Sequence, residues 1–493
     1  MVQGTASHVG KSVLVAGLCR LFRQEGLRVA PFKAQNMALN SFATVDGGEI
    51  GRAQAAQAEA AGTAPTVDMN PILLKPEGKA RSQVVVAGKV HGVMDAAAYH
   101  ASRHELWPIV EGSLRRLLDQ NDVVVVEGAG SPVEVNLKDS DLVNMRVARA
   151  VSAPVLLVAD IDRGGVFASL VGTMELLDPE ERDLVAGFIV NKFRGDLDLF
   201  RPGIAFLEQR LERPVLGVVP WLEEIGIAEE DSQGLPLSRS TVAQDEPCID
   251  VVVIRLPHIA NFDDFDPLAR RPGVRLRYVD RCELLGQPDL LIIPGTKMTR
   301  ADLAALGERG LDTAIVAYAR RGGAVLGICG GYQMLGSRID DPEGVEGRPG
   351  SSAGMGLLDA VTRYASEKAT VQVRGQVRTP IGLLSRVNGA ALEAYEIHMG
   401  RTTTRSQAPF HVQASDGSWV ADGALSDDGW VLGTYLHGLL ANHELREGLL
   451  IELATQKGIT LPPHEAAIDP YDRLAATLRR CLDLDHLRGL IAA

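Results

Sequence analysis

The run Gly4-Thr5-Ala6-Ser7-His8-Val9-Gly10-Lys11-Ser12 leads directly into VLVAGLCRLF, residues 13 to 22, whose apolar positions recur at helical spacing. Glycines let backbone curl around phosphate groups, a lysine supplies charge, and a serine hydroxyl can hold magnesium ahead of a helix N-terminus. Gly4, Thr5, Gly10, Lys11 and Ser12 are therefore candidates for cradling the phosphates of a cofactor, with Ser12 also a candidate magnesium ligand. The plainer reading is a Gly-rich strand-to-helix turn carrying a surface lysine. Five residues separate Gly4 from Gly10, where the common form of the loop has four. Only Met1 to Gln3 precede the loop, so the expected strand is short and the true start of the chain stays open.

Outward from this loop, short β-branched runs alternate with longer helical patterns: Val123 to Val126, Pro154 to Ala159, Gly187 to Val190 and Val215 to Val219. That rhythm predicts a parallel sheet with crossover helices. It decays after Pro220, and the polar stretch Glu229 to Pro247 reads as a linker. A second α/β rhythm runs from Ile249 to Leu256 through Leu290 to Ile293 and Ala324 to Ile328 to Trp430 to Thr434. The expectation is two tandem doubly wound parallel-sheet domains, residues 1–228 and 248–445, followed by a helical tail at 446–493. In that tail Leu474, Leu478, Leu482 and Leu487 predict one amphipathic helix docked on the body.

Composition narrows the function. The 493 residues carry 50 Lys+Arg against 63 Asp+Glu, a net charge of −13, and 23 aromatic residues among them. An acidic chain poor in aromatics is a poor match for nucleic acid or an anionic membrane. Five scattered cysteines, none in a CxxC pair, predict a reducing cytoplasm rather than a disulfide framework, and no apolar stretch reaches membrane-spanning length.

Glu127, just after Val123 to Val126, sits where open α/β sheets place ligands and is a candidate magnesium ligand. Asp46 and Glu49 in DGGEIGRAQ are further magnesium or substrate candidates; two acids in a polar loop read equally well as solvated. In the second domain GGAVLGICGGYQ, residues 322 to 333, places Cys329 between an apolar strand and a helix, the setting of a nucleophile elbow. His437 in GTYLHGLL ends the last apolar run and is the candidate base. Backbone N–H groups of Gly330, and of Gly295 in PGTKMTRADL, are candidates to stabilise an oxyanion.

The segments KAQNMALNSF (33 to 42), GGEIGRAQ (47 to 54), EGAGSPVEVNL (127 to 137), ADIDRGGVFASL (159 to 170) and NKFRGD (191 to 196) together resemble the cobyric acid synthase family. The loop spacing is similar to that of dethiobiotin-synthetase-like P-loop enzymes, and the second domain resembles class I glutamine amidotransferases of the cobyrinate-synthase type. The resemblance implies ATP- and magnesium-dependent amidation of the b, d, e and g carboxylates of adenosylcobyrinic acid a,c-diamide, with glutamine as nitrogen source. It implies a Cys329–His437 pair that releases ammonia, and an acyl phosphate made at the phosphate loop. Asn191 matches a position that reads the adenine edge, or is a turn residue. Asp141 matches one that couples nucleotide and substrate sites, or is a helix N-cap ahead of Leu142 to Ala148. Glu396 and His398 in YEIHMG match glutamine-pocket or supporting positions. Ordinary class I members carry a glutamate two residues past the histidine; Leu439 stands here, so what orients His437 is open. LPHIANFDDFDPL (256 to 268) is also similar to the family, with no chemistry assignable. The alternatives are cobyrinic acid a,c-diamide synthase, and a non-amidating P-loop ATPase whose second domain only binds partners. With anionic substrates and an acidic chain, local cations such as Lys11 and magnesium must do the attracting; the chain is compatible with a homo-oligomer.

Overall fold

The computed structural model describes residues 1–77, 81–222, 238–239, 246–414, 417–463 and 469–492. Its contacts divide the chain into two units: Met1–Ala38 with Ile50–Ile227 and Ala467–Ala493, and Leu39–Glu49 with Ala228–Ala466.

The first unit is built on parallel strands β1 (Val2–Gly4), β2 (Val29–Phe32), β3 (Val123–Val126), β4 (Val155–Asp160), β5 (Val185–Phe193) and β6 (Val215–Pro220). β1, β4, β5 and β6 pair in that order, β2 pairs with β3, and a bridge between Val2 and Glu127 joins the two sets. β4 is buried along its whole length, as expected for VLLVAD covered on both faces. A second sheet, from Gln35–Met37, Ile72–Pro76, Arg81–Val86 and Lys89–Asp95, was not legible in the sequence. The helix α1 (Lys11–Gln24) starts at Gly10, whose φ of +96° an L side chain rarely adopts.

The second unit centres on parallel strands β7 (Ile249–Ile254), β8 (Val274–Val279), β9 (Leu290–Ile293), β10 (Ala324–Ile328) and β11 (Val431–Thr434), in the order β8-β7-β9-β10-β11. Beside it stands an antiparallel sheet dominated by the long strands Ala360–Val377 and Ala391–Thr404.

Three features depart from the sequence reading of the domains. The helix His443–Lys457 runs through the expected boundary at 445, and its Leu445, Leu449, Leu450 and Leu453 enter the core of the second unit. The tail folds as two helices, Pro470–Cys481 and Leu484–Ala492, because Leu482 leaves helical geometry to bridge Gly217 of β6. Leu474, Leu478, Leu482 and Leu487 are nevertheless all buried, in the first unit's core with α1. Third, Leu39–Glu49 belongs to the second unit although the sequence places it inside the first. Most of the expected linker, 229–247, lies outside the described residues.

Leu478 is fully buried against α1. Leu478→Ala should cost about 2–5 kcal/mol, read as a lower urea midpoint for the first unit.

Candidate active sites

β10 ends at Ile328, and Cys329 turns the chain into the short helix Gly330–Leu335 with φ 52° and ψ −107°. That backbone is strained by about 1–3 kcal/mol for a residue with a β-carbon. It is held by the Cys329 N–H, which donates to the Thr434 carbonyl at 2.8 Å, across the parallel pairing of β10 and β11. Because β11 ends at Thr434, His437 arrives at the same carboxyl edge three residues later. Both side chains are buried, Cys329 at 7% and His437 at 2% exposure.

His437 is fixed from two sides. Its backbone exchanges hydrogen bonds of 2.9 and 3.1 Å with Tyr395, whose ring stacks on the imidazole at 5.3 Å between centroids. Its Nδ1 lies 2.7 Å from Asp264 Oδ2, and Asp264 Oδ1 accepts the Gly438 N–H at 2.7 Å. Burial opposes the imidazolium, but the Asp264 carboxylate and the Cys329 sulfur outweigh it and push the His437 pKa up to about 10. With Nδ1 on Asp264, Nε2 is the nitrogen left for the thiol.

Asp264 is the orienting carboxylate that Leu439 does not supply. It comes from the turn Phe262–Phe265, shortly after β7, in the segment to which no chemistry could be assigned. The available signal was an acidic pair just past the carboxyl end of an apolar strand.

The loop after β9 closes the site. A β-carbon at Gly295 would lie 2.9 Å from His437 Cε1, and one at Gly330 2.6 Å from Thr296 Cγ2, so glycine is required at both. The structure thus brings Cys329, His437, Gly295 and Gly330 together. Ile397 presents its carbonyl 3.6 Å from Cys329 Sγ, flanked in its strand by Glu396 and His398. The His398 ring stacks on Tyr435 at 3.8 Å, with Nε2 3.0 Å from Glu396 and Nδ1 2.7 Å from the Gly400 carbonyl. Burial and then the Glu396 charge push the nearby Asp422 carboxyl up to about 7. Gln333, Thr299, Tyr364 and Tyr435 form a buried hydrogen-bonded network alongside.

In the first unit the phosphate loop bends between β1 and α1. Lys11 Nζ donates to the carbonyls of Ala6 and Gly130, each at 3.1 Å, so the ammonium lies inside the loop. Ser12 Oγ donates to Glu127 Oε1 at 2.8 Å, and Lys33 Nζ pairs with the same oxygen at 2.9 Å. Asn191, near the end of β5, donates its amide to the Val9 carbonyl at 2.7 Å and so supports the loop from behind.

Residues 1–235 match a model of the CobQ/CobB/MinD/ParA nucleotide binding domain, and residues 250–445 a model of the CobB/CobQ-like glutamine amidotransferase domain. A cobyric acid synthase from Sorangium cellulosum is 53% identical over 99% of this chain and 98% of its own. Those of Dehalococcoides mccartyi and Moorella thermoacetica are 49% and 50% identical, each over the whole of this chain and 98% and 96% of their own. The chain belongs to the cobyric acid synthase family. It is accordingly an enzyme that joins a nucleotide-binding half to a glutamine amidotransferase half.

Within that family reading, the phosphate site fits magnesium. Ser12 and Glu127 offer adjacent hard oxygens, and the buried Gln57 Oε1 beside Glu127 has no hydrogen-bond partner. No cluster of three or more His, Cys, Asp or Glu placed for a metal exists among the described residues. Asp46 and Glu49 do not join this set. Both lie in the second unit, where Asp46 accepts from Thr44 and Glu49 is buried between Ser41 and Lys368, its charge already balanced. Asp141 accepts from the N–H groups of Val143, Asn144 and Arg146 at 2.9 to 3.1 Å, bracing the turn that leads into the helix Met145–Ala150, whose N-cap is Asn144. No helix among the described residues is long and apolar enough to cross a membrane.

Removing the Asp264 charge removes the strongest of the influences that raise the His437 pKa. Asp264→Asn should therefore lower glutamine hydrolysis by about 10²-fold or more and move the alkaline limb of its pH profile, where the imidazolium is lost, to lower pH. Glutamate release measured across pH 6 to 11 checks both.

Proposed function

We propose that the chain makes adenosylcobyric acid by amidating the b, d, e and g carboxylates of adenosylcobyrinic acid a,c-diamide, with ATP and glutamine, in the cytoplasm. The observation that carries the reading is the Cys329–His437–Asp264 constellation in a chain that also holds a complete phosphate loop.

In the amidotransferase half, Cys329 Sγ attacks the glutamine side-chain carbonyl carbon. The C–N bond breaks as His437 gives its Nε2 proton to the departing ammonia, and water then cleaves the thioester to release glutamate. N–H groups of Gly330 and the Gly295 loop stabilise the oxyanion, and Glu396 and His398 line the glutamine pocket. Asp264 keeps the imidazole in the tautomer and orientation this requires.

In the nucleotide half, a corrin carboxylate oxygen attacks the γ-phosphorus of ATP and ADP leaves, forming an acyl phosphate. Ammonia attacks the acyl carbon, loses a proton, and phosphate departs. Lys11 and the backbone of Gly4, Thr5 and Gly10 hold the transferring charge, and Asn191 buttresses the loop and would read the adenine edge. Ser12, Glu127 and Gln57 would hold magnesium, which neutralises phosphate charge when bound.

Cys329→Ala should lose glutamine-dependent amidation by about 10³-fold or more and keep ammonium-dependent amidation within about twofold. Lys11→Ala should lose both by at least about 10²-fold, since activation precedes either nitrogen source. Mass spectrometry of the products on the a,c-diamide should show four successive amidations; activity confined to cobyrinic acid itself would instead identify an a,c-diamide synthase, and no glutamate release would favour the partner-binding ATPase.

A further inference from the structure

Leu39–Glu49 is bounded on both sides in sequence by residues of the nucleotide-binding unit, yet its contacts are with the amidotransferase unit. Gln372 donates to the Ala43 carbonyl at 2.9 Å, the buried Glu49 pairs with Lys368, and the Phe42 ring lies 4.6 Å from that of Tyr395. The most specific of these contacts converge on Asn261. The Asn261 N–H donates to Asn40 Oδ1 at 2.7 Å, its Oδ1 accepts the Ser41 N–H at 3.2 Å, and its Nδ2 donates to the Ser41 carbonyl at 2.9 Å.

Asn261 in turn reaches both supports of His437. Its Nδ2 donates to Tyr395 Oη at 2.9 Å, and Tyr395 stacks on the imidazole. Its carbonyl accepts the Asp264 N–H at 3.1 Å, closing the turn that presents Asp264 to Nδ1. Asn261 has φ 52°, a conformation costly without such over-determination by neighbours.

We propose that Asn40 and Ser41 are positioning residues for His437, acting through Asn261, so that a segment encoded within the nucleotide-binding half sets the rate of glutamine hydrolysis. The proposal rests on the reading of Cys329 and His437 as the glutamine-hydrolysing pair. Loss of the Asn40 acceptor loosens the Asn261 turn, and with it Asp264 and the Tyr395 ring.

The test uses the full chain with three variants. Asn40→Ala removes the acceptor. Asn40→Asp keeps an accepting oxygen, and the Asn40 Nδ2 it removes has no hydrogen-bond partner to lose. Asn261→Gly preserves access to positive φ while removing the amide. Asn40→Ala and Asn261→Gly should lower kcat for glutamate release by about tenfold or more with KM for glutamine within about threefold, and should move the alkaline limb of the pH profile. Asn40→Asp should recover most of that loss, and ammonium-dependent amidation should stay within about twofold in all three. The proposal is overturned if glutamate release is unchanged in Asn40→Ala and Asn261→Gly, or if glutamine- and ammonium-dependent activities fall in parallel. Absence of glutamate release in the unsubstituted enzyme would overturn instead the assignment of the pair itself.

Discussion

The hydrogen bond between Asp264 and His437 Nδ1 is the interaction on which the amidotransferase half depends. A histidine at 2% exposure would ordinarily be neutral, since burial penalises its charge. The 2.7 Å contact with a carboxylate reverses that balance and keeps a proton on the imidazole. It also selects the tautomer, so the Nε2 face is directed to the sulfur. The strained turn at Cys329, the glycine at 295 and the stacked Tyr395 all hold groups around that one orientation.

The phosphate loop solves a different problem, that of holding a buried cation next to glycine backbone. Lys11 is taken up by two carbonyls, one in its own loop and one in the loop after β3. Glu127 is compensated by Lys33 and hydrogen-bonded by Ser12. Opposite charges are thus stored as a balanced set, which keeps cations at the loop despite the net charge of −13.

Much of this was legible in the sequence because parallel strands read as continuous apolar runs. VVVV at 123 to 126 and VLLVAD at 155 to 160 are strands where expected, and Glu127 and Cys329 follow directly on the carboxyl ends of their strands. Asp264 was not legible, because its partner is 173 residues away and nothing in local periodicity connects them. Asp46 and Glu49 read as magnesium or substrate candidates from two acids in a polar loop, and only the structure shows their partners, Thr44 for Asp46 and the distant Lys368 for Glu49. The terminal leucines predicted the buried face, but not the break at Leu482, which comes from backbone pairing with β6 rather than from side-chain pattern.

The placement of Leu39–Glu49 shows why a linear division of such a chain fails. Domain boundaries inferred from composition assume that a unit's core is built from one continuous stretch. Here the amidotransferase unit takes eleven residues from inside the nucleotide-binding sequence, and the nucleotide-binding unit takes its last helices from the far end of the chain. Each exchange places a polar or apolar demand on residues that look ordinary in their own neighbourhood: Asn40 satisfies a backbone N–H at position 261, and Leu478 fills the core beside α1. The Asn261 turn therefore lacks one of its hydrogen-bond partners in any isolated amidotransferase fragment that starts after the linker.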